Sequence, residues 1–293
     1  MKDSVRGVAI SHPDRQVFSD PGLTKLELAR YYASVADRML PHLRERRLVL
    51  LKCPEGADDA CFVQRHEGRR LPEGVSLSEG HLVIQTAQGL VGLVQQGVIE
   101  FHTWGARDAQ GARPDRITLD LDPDDSIGWP AVVDAARAAR ELMEHVGLVP
   151  FLKTTGGKGL HLVAPIRPTQ SWDTIKDLAR RMADQLAAAA PDTFIATASK
   201  ARRKGLVFVD YLRNGDAASA VAAWSVRARP GAPVSMPLDW KALDPGHDLR
   251  GAAFNVRNAL EHAQGRADPW RGYADSRRSV GPRMQQRLPE RPA

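Results

Sequence analysis

The chain has 293 residues, 43% hydrophobic and 26% charged, enough for a substantial buried core. No apolar stretch reaches the ~20 residues that a membrane helix needs, and the opening MKDSVRGVAISHPDR lacks the apolar region of a signal peptide, so the expectation is a soluble, cytoplasmic protein without a membrane partner. The formal net charge is +6, but residues 263–293 hold seven Arg against three acidic residues, so charge alone does not argue for nucleic acid, and basic runs at 44–47 and 200–204 read as solvated faces.

Residues 24–40 predict a helix, because Leu28, Tyr32, Val35 and Met39 recur at helical spacing and Thr24-x-x-Glu27 matches a capping box, with Pro41 following the last turn. Short apolar runs at 48–51, 81–84 and 98–101 predict strands. Cys53 and Cys61, eight positions apart, fit neither a disulfide framework nor a paired zinc motif and read as small core residues. From Ile117 the pattern runs strand, helix (130–146), strand, glycine turn, strand (160–164), helix (171–190), strand (206–212). Helices interrupt the strands irregularly, which favours an α+β sheet over regular βαβ winding. The end, RRSVGPRMQQRLPERPA, reads as a mobile tail or the start of an interdomain linker.

Within this pattern, Ile117-Thr-Leu-Asp120-Leu-Asp122-Pro alternates so that three apolar side chains share one strand face and Asp120 and Asp122 the other. Two carboxylates so placed repel unless a cation intervenes, and hard oxygen ligands suit Mg²⁺ or Mn²⁺; a polar strand edge entering an acidic turn is the alternative. Asp210 interrupts the apolar run LVFVDYL, and an unpaired buried charge is costly. Its partner is either an arginine, Arg213 or Arg227, or a shared metal. In Thr154-Thr155-Gly156-Gly157-Lys158-Gly159-Leu160-His161, glycines let backbone N–H groups approach an anion beside a hydroxyl, a lysine and a histidine; a plain hairpin turn is the alternative. Arg227 and Arg229, two apart, read as a phosphate-binding pair on one strand face. His102, taken alone, reads as a packed histidine beside aromatics.

In this order, LDLDP, TTGGKGLH, VDYLRN and SVRARPGAPV resemble the polymerase domain of bacterial DNA ligase D, of the archaeo-eukaryotic primase superfamily, from about His12 through Trp240. The resemblance implies a primase-polymerase fold: a mixed or antiparallel central sheet with an RRM-like catalytic core, flanked by helices. It implies one domain over 1–293, with an N-terminal α/β part to about 100, a catalytic core to about 240 and a helical, basic tail beyond. It implies that Asp120, Asp122 and Asp210 bind two divalent metals, Mn²⁺ or Mg²⁺. His102, Thr155, Gly156, Gly157, Lys158, His161, Arg213, Arg227 and Arg229 would then line the site for a nucleoside triphosphate. Arg15, Lys25, Lys52, Phe62 and Arg65 would meet DNA, Arg15 and Lys25 at the 5′-phosphate across a gap. The implied activity is addition of ribo- or deoxynucleotides to DNA 3′ ends in gap filling and end joining, beside a fused ligase domain and Ku at the nucleoid. A de novo primase and a catalytically silent end-binding module are the competing readings.

Overall fold

The computed structural model describes residues 3–66, 70–107, 113–245, 249 and 252–289. In chain order its elements begin β1 (Ser4–Val5), β2 (Val8–Ala9), β3 (Gln16–Phe18), β4 (Leu23–Thr24), α1 (Lys25–Leu43), β5 (Leu48–Lys52), β6 (Phe62–Gln64), β7 (Val75–Ser78), β8 (His81–Ile84), α2 (Ala87–Gln95) and β9 (Val98–Trp104). They continue β10 (Arg116–Pro123), α3 (Trp129–Val146), β11 (Phe151–Thr154), β12 (Leu160–Pro165), α4 (Trp172–Ala189), β13 (Phe194–Ile195), β14 (Val207–Asp210), β15 (Ser219–Val221), β16 (Pro237–Leu238), α5 (Ala259–Ala263) and α6 (Pro282–Gln285). Two compact units result: Met1–Ala109 with Ser219–Met236 and Ala252–Asp268, and Gln110–Ala218 with Pro237–Gly251 and Pro269–Ala293. Among the described residues no helix is long and apolar enough to cross a membrane.

The first unit is built on an antiparallel sheet in the order β15-β9-β5-β6, with α1 alongside in sequence. Both arms of the Thr24 and Glu27 capping box form, and Leu28, Tyr32, Val35 and Met39 are buried as their spacing requires. The helix runs on to Leu43, so Pro41 lies inside its last turn rather than after it. Tyr32 ties the helix to the sheet, its hydroxyl donating to the Ile99 carbonyl and accepting the Val226 N–H. The α2 segment has no polar face to announce a helix; it is glycine-rich because Cβ atoms at Gly89 and Gly92 would strike the crossing chain at Gly74 and Pro72. The cysteine reading needs correction: Cys53 and Cys61 are disulfide-bonded. Lys52 and Phe62 stand opposite each other at the ends of β5 and β6, and that pairing brings the adjoining cysteines to a Cα separation of 4.3 Å.

The second unit carries a sheet in the order β13-β14-β10-β12-β11-β16, antiparallel except for β13 with β14. Ile117, Leu119 and Leu121 are fully buried, as the alternation predicts, and α3 and α4 pack against β10 through apolar stripes such as Val132, Ala139 and Met143 or Ile175, Leu178 and Met182. The predicted strand over 206–212 stops at Asp210, after which 212–214 wind into a 3₁₀ turn.

The C-terminal segment is not a free tail as far as Pro289. Val280, Met284 and Leu288, spaced four apart, are buried, and the Trp270 indole donates to the Leu152 carbonyl at 2.7 Å. The Arg181 guanidinium gathers the carbonyls of Gln285, Leu288 and Pro289 at 2.7, 2.6 and 3.1 Å. Polar composition hid this, because the buried positions are diluted among arginines and glutamines.

Candidate active site

In the second unit, strand register sets four polar residues side by side. Asp210 on β14 faces Asp120 on β10, Asp120 faces His161 on β12, and His161 faces Lys153 on β11. Directly opposed residues of neighbouring strands project to the same face, so the sheet presents one transverse row of two acids, an imidazole and a lysine, all buried. Such a row is costly unless its charges match. His161 Nε2 lies 3.2 Å from Asp120 Oδ1, and Arg213 bridges both carboxylates, 3.3 Å from Asp120 and 3.2 Å from Asp210. Asp122, two residues along β10, is met by Arg203 at 3.4 Å, whose guanidinium also lies over the Phe208 ring.

The two opposed acids titrate apart. Burial opposes the charge of Asp120, but His161 and Arg213 outweigh it and hold the carboxyl well below its usual range. Asp210 is raised by burial, with the charge of Asp120 adding to that effect. Burial and the nearby Lys153 push His161 down to about 4, so near neutral pH it is a neutral imidazole whose Nε2–H donates to Asp120. Its Nδ1 is buried without a hydrogen-bond partner.

The donor chemistry fits a hard divalent cation: two carboxylates already converge on one cationic group, with a third two positions away on the same strand. Among the described residues, no group of three or more His, Cys, Asp or Glu is gathered closely enough to hold a metal, and Asp122 meets Arg203.

The glycine segment joins β11 to β12. Thr155 closes it, with its N–H at 3.2 Å and its hydroxyl at 3.1 Å from the Gly159 carbonyl, while Gly156 takes a φ of +68°. Lys158 reaches out to Asp125 at 2.8 Å.

In the first unit, Glu100 and His102 lie two apart on β9. The Glu100 carboxylate accepts from His102 Nε2 at 2.7 Å, Arg227 Nε at 2.9 Å and the Ala228 N–H at 2.8 Å. Arg227 and Arg229 sit in an irregular loop, not on a strand, with Arg227 half-buried and Arg229 exposed. Arg15 and Lys25 are neighbours: the Lys25 N–H donates to the Arg15 carbonyl at 2.8 Å, and burial and then Arg15 lower the Lys25 amine below its usual value. Lys25 Nζ donates to the Ser11 carbonyl at 3.2 Å, and Arg15 pairs with Glu55. Lys52 and the exposed Phe62 are direct cross-strand neighbours, and Arg65 is exposed just beyond β6.

A model of the LigD primase-polymerase domain matches residues 24–270. The chain belongs to that family. As a LigD primase-polymerase domain it is a nucleotidyltransferase with the α+β primase-polymerase fold. It is 42% identical to the multifunctional non-homologous end joining protein LigD of Pseudomonas aeruginosa, over 96% of this chain and 34% of that protein. The LigD of Mycobacterium bovis is 31% identical, over 82% of this chain and 34% of its own length. This LigD domain thus spans about a third of the length of the curated relatives it matches. Among solved structures, the polymerase domain of Mycobacterium tuberculosis ligase D in complex with DNA superposes with a TM-score of 0.85 at 30% identity, covering 93% of this chain and 100% of that one.

Four residues in these clusters escaped the sequence reading: Lys153, Arg203, Glu100 and Asn214. Asn214, buried after the end of β14, completes the ladder with its side chain, accepting the Thr118 N–H at 2.7 Å and donating to the carbonyls of Thr118 at 2.7 Å and Tyr211 at 2.8 Å. An Asn214→Ala variant strands both polar groups of Thr118 and should lose about 2–4 kcal/mol of stability in urea titrations; an unchanged midpoint would show that water replaces the amide.

Proposed function

We propose that this domain adds nucleotides to DNA 3′ ends at gaps and breaks, using Asp120, Asp122 and Asp210 to bind two divalent cations, Mn²⁺ or Mg²⁺. The carrying observation is the opposed pair Asp120 and Asp210, sharing one guanidinium and titrating in opposite directions. Paired acids with divided titration mark sites built for cations or proton transfer more often than sites built for stability. Bound there, two cations would activate the primer hydroxyl and neutralise the departing pyrophosphate.

The chain's own groups act around that chemistry. The His161 N–H holds the Asp120 carboxylate in orientation and keeps it ionised. Lys153, Arg203 and Arg213 already balance the three acids, so added divalent charge calls for the added negative charge of a triphosphate. In the second unit we assign Thr155, Gly156, Gly157, Lys158, His161 and Arg213 to the nucleotide, and in the first unit His102, Arg227 and Arg229. The primer 3′ oxygen attacks the α-phosphorus in line, and the bond to the bridging oxygen of pyrophosphate breaks. No protein nucleophile is needed.

The charge of Arg15 adds to burial in disfavouring the Lys25 ammonium, a conflict that a downstream 5′-phosphate would relieve. The pair Lys52 and Phe62 offers a cation and an exposed ring, suited to backbone phosphate and a stacked base, with Arg65 nearby. Relatives named for non-homologous end joining support action at DNA breaks, and the proposal extends to work in the cytoplasm at the nucleoid, beside a ligase domain and Ku, with ribonucleotides accepted as well as deoxynucleotides.

The test is extension of a primer on a gapped duplex with Mn²⁺ or Mg²⁺, comparing ribo- and deoxynucleotides with and without the 5′-phosphate. Extension with pyrophosphate release, faster with the phosphate, is expected, and an Arg15→Ala, Lys25→Ala double variant should lose that preference. Absence of extension would refute the polymerase reading; a preference that survives the double variant would refute the phosphate assignment alone.

A further inference from the structure

We propose that Glu100 is the positioning residue of the first unit's nucleotide-contacting groups, setting the orientation of His102 and Arg227 through one carboxylate. The inference rests on the reading of those two residues as nucleotide contacts. It begins with burial: Glu100 is only 4% exposed on a strand otherwise rich in apolar residues, and β9 gains nothing in packing from a carboxylate there. A buried acid retained in such a place is retained for its partners.

Those partners come from two separate stretches of chain. Oε2 takes both His102 Nε2 and Arg227 Nε, and Oε1 takes the Ala228 N–H. Capture of Nε fixes the plane of a guanidinium, since that nitrogen lies at the stem end of the fork. Capture of His102 Nε2 assigns a ring proton to that nitrogen and fixes the imidazole plane. The Ala228 contact pins the irregular loop that carries Arg227, so the arginine is held at both its backbone and its head group. Burial raises the Glu100 carboxyl, but the His102, Arg227 and Ala228 contacts more than offset that and bring it down to about 2, so the anchor is an anion throughout the working pH range.

The cluster's partners named above all belong to the first unit, so Mn²⁺ response, assigned to the second unit's acids, serves as the experiment's control. Steady-state nucleotide addition is measured for Glu100→Gln, Glu100→Asp, Arg227→Ala and the double variant Glu100→Gln, Arg227→Ala, with thermal melts recorded for each with and without Mn²⁺. Glu100→Gln keeps the shape but loses the charge, and KM for the nucleotide should rise about tenfold with a smaller change in kcat. Mn²⁺-induced stabilisation should match that of the parent protein. Adding Arg227→Ala should raise KM little beyond the Arg227→Ala value, because residues acting through one another are non-additive. Glu100→Asp, which restores the charge on a shorter stem, should recover part of the loss and serves as the measured variant if Glu100→Gln does not stay folded. An unchanged KM in a folded Glu100 variant, or full additivity in the double variant, overturns the positioning role. An unchanged KM in Arg227→Ala instead overturns the nucleotide assignment beneath it.

Discussion

Substituting either Asp120 or Asp210 by Asn should reduce nucleotide addition about a thousand-fold or more, a loss of several kcal/mol of transition-state stabilisation, yet the two variants should differ in stability. Asp120 sits below its usual range because His161 and Arg213 overcome its burial. Its ionised form therefore contributes stability above the unfolded carboxyl pKa, a contribution lost as pH falls toward the folded value. Removing that charge should lower the melting temperature at neutral pH. Asp210 sits above its usual range because burial and the neighbouring Asp120 disfavour its charge. Folding therefore disfavours its charged form, so Asp210→Asn should melt at the parent temperature or higher. Thermal melts without divalent metal, beside primer-extension rates, check both halves. Activity that falls only in proportion to the folded fraction would reduce these acids to structural residues.

The parts of this site visible in the sequence are those written in local spacing. Period-two alternation placed Asp120 and Asp122 opposite Ile117, Leu119 and Leu121, and the structure keeps that division. The capping box started α1 at the right residue. Even Asp210 declared itself, as a charge with no local reason to be in an apolar strand, and one of the two arginines considered, Arg213, is its partner. What stayed hidden depends on register between strands far apart in sequence. Lys153 looks like any lysine near a turn until β11 is laid beside β12 and it falls opposite His161. Arg203 belongs to a basic run that reads as a solvated face, and only the stacking on Phe208 and the contact with Asp122 remove it from that class. Arg227 was read beside Arg229 on a strand, but the two lie in a loop, and Arg227 meets Glu100, 127 positions away. The disulfide had the same non-local cause, since it follows from the pairing of Lys52 with Phe62 and not from the eight-residue spacing.

A single methyl group at Gly159 should disable this LigD domain without touching any charged residue. A Cβ built there collides with the Leu121 carbonyl, which is backbone of β10 and cannot rotate away. Gly159 directly precedes β12, whose Leu160 is registered opposite Leu121, so the collision would wedge β12 from β10 where Asp120 faces His161. The Gly159 carbonyl is also the acceptor that closes the glycine turn onto Thr155, so the same displacement loosens the turn. Overpacking of this kind costs about 1–3 kcal/mol, and a misplacement of about 1 Å at reacting groups costs about a hundred-fold in rate. Gly159→Ala should therefore show an earlier urea midpoint and nucleotide addition reduced about a hundred-fold, beyond what the remaining folded fraction explains. Gly281→Ala is the matched control, since a Cβ there meets nothing within 4 Å, and it should leave both measurements unchanged. Wild-type extension rates in Gly159→Ala would mean that β10 and β12 can separate without disturbing the acids, and the close approach of the two strands would then have no part in holding the site.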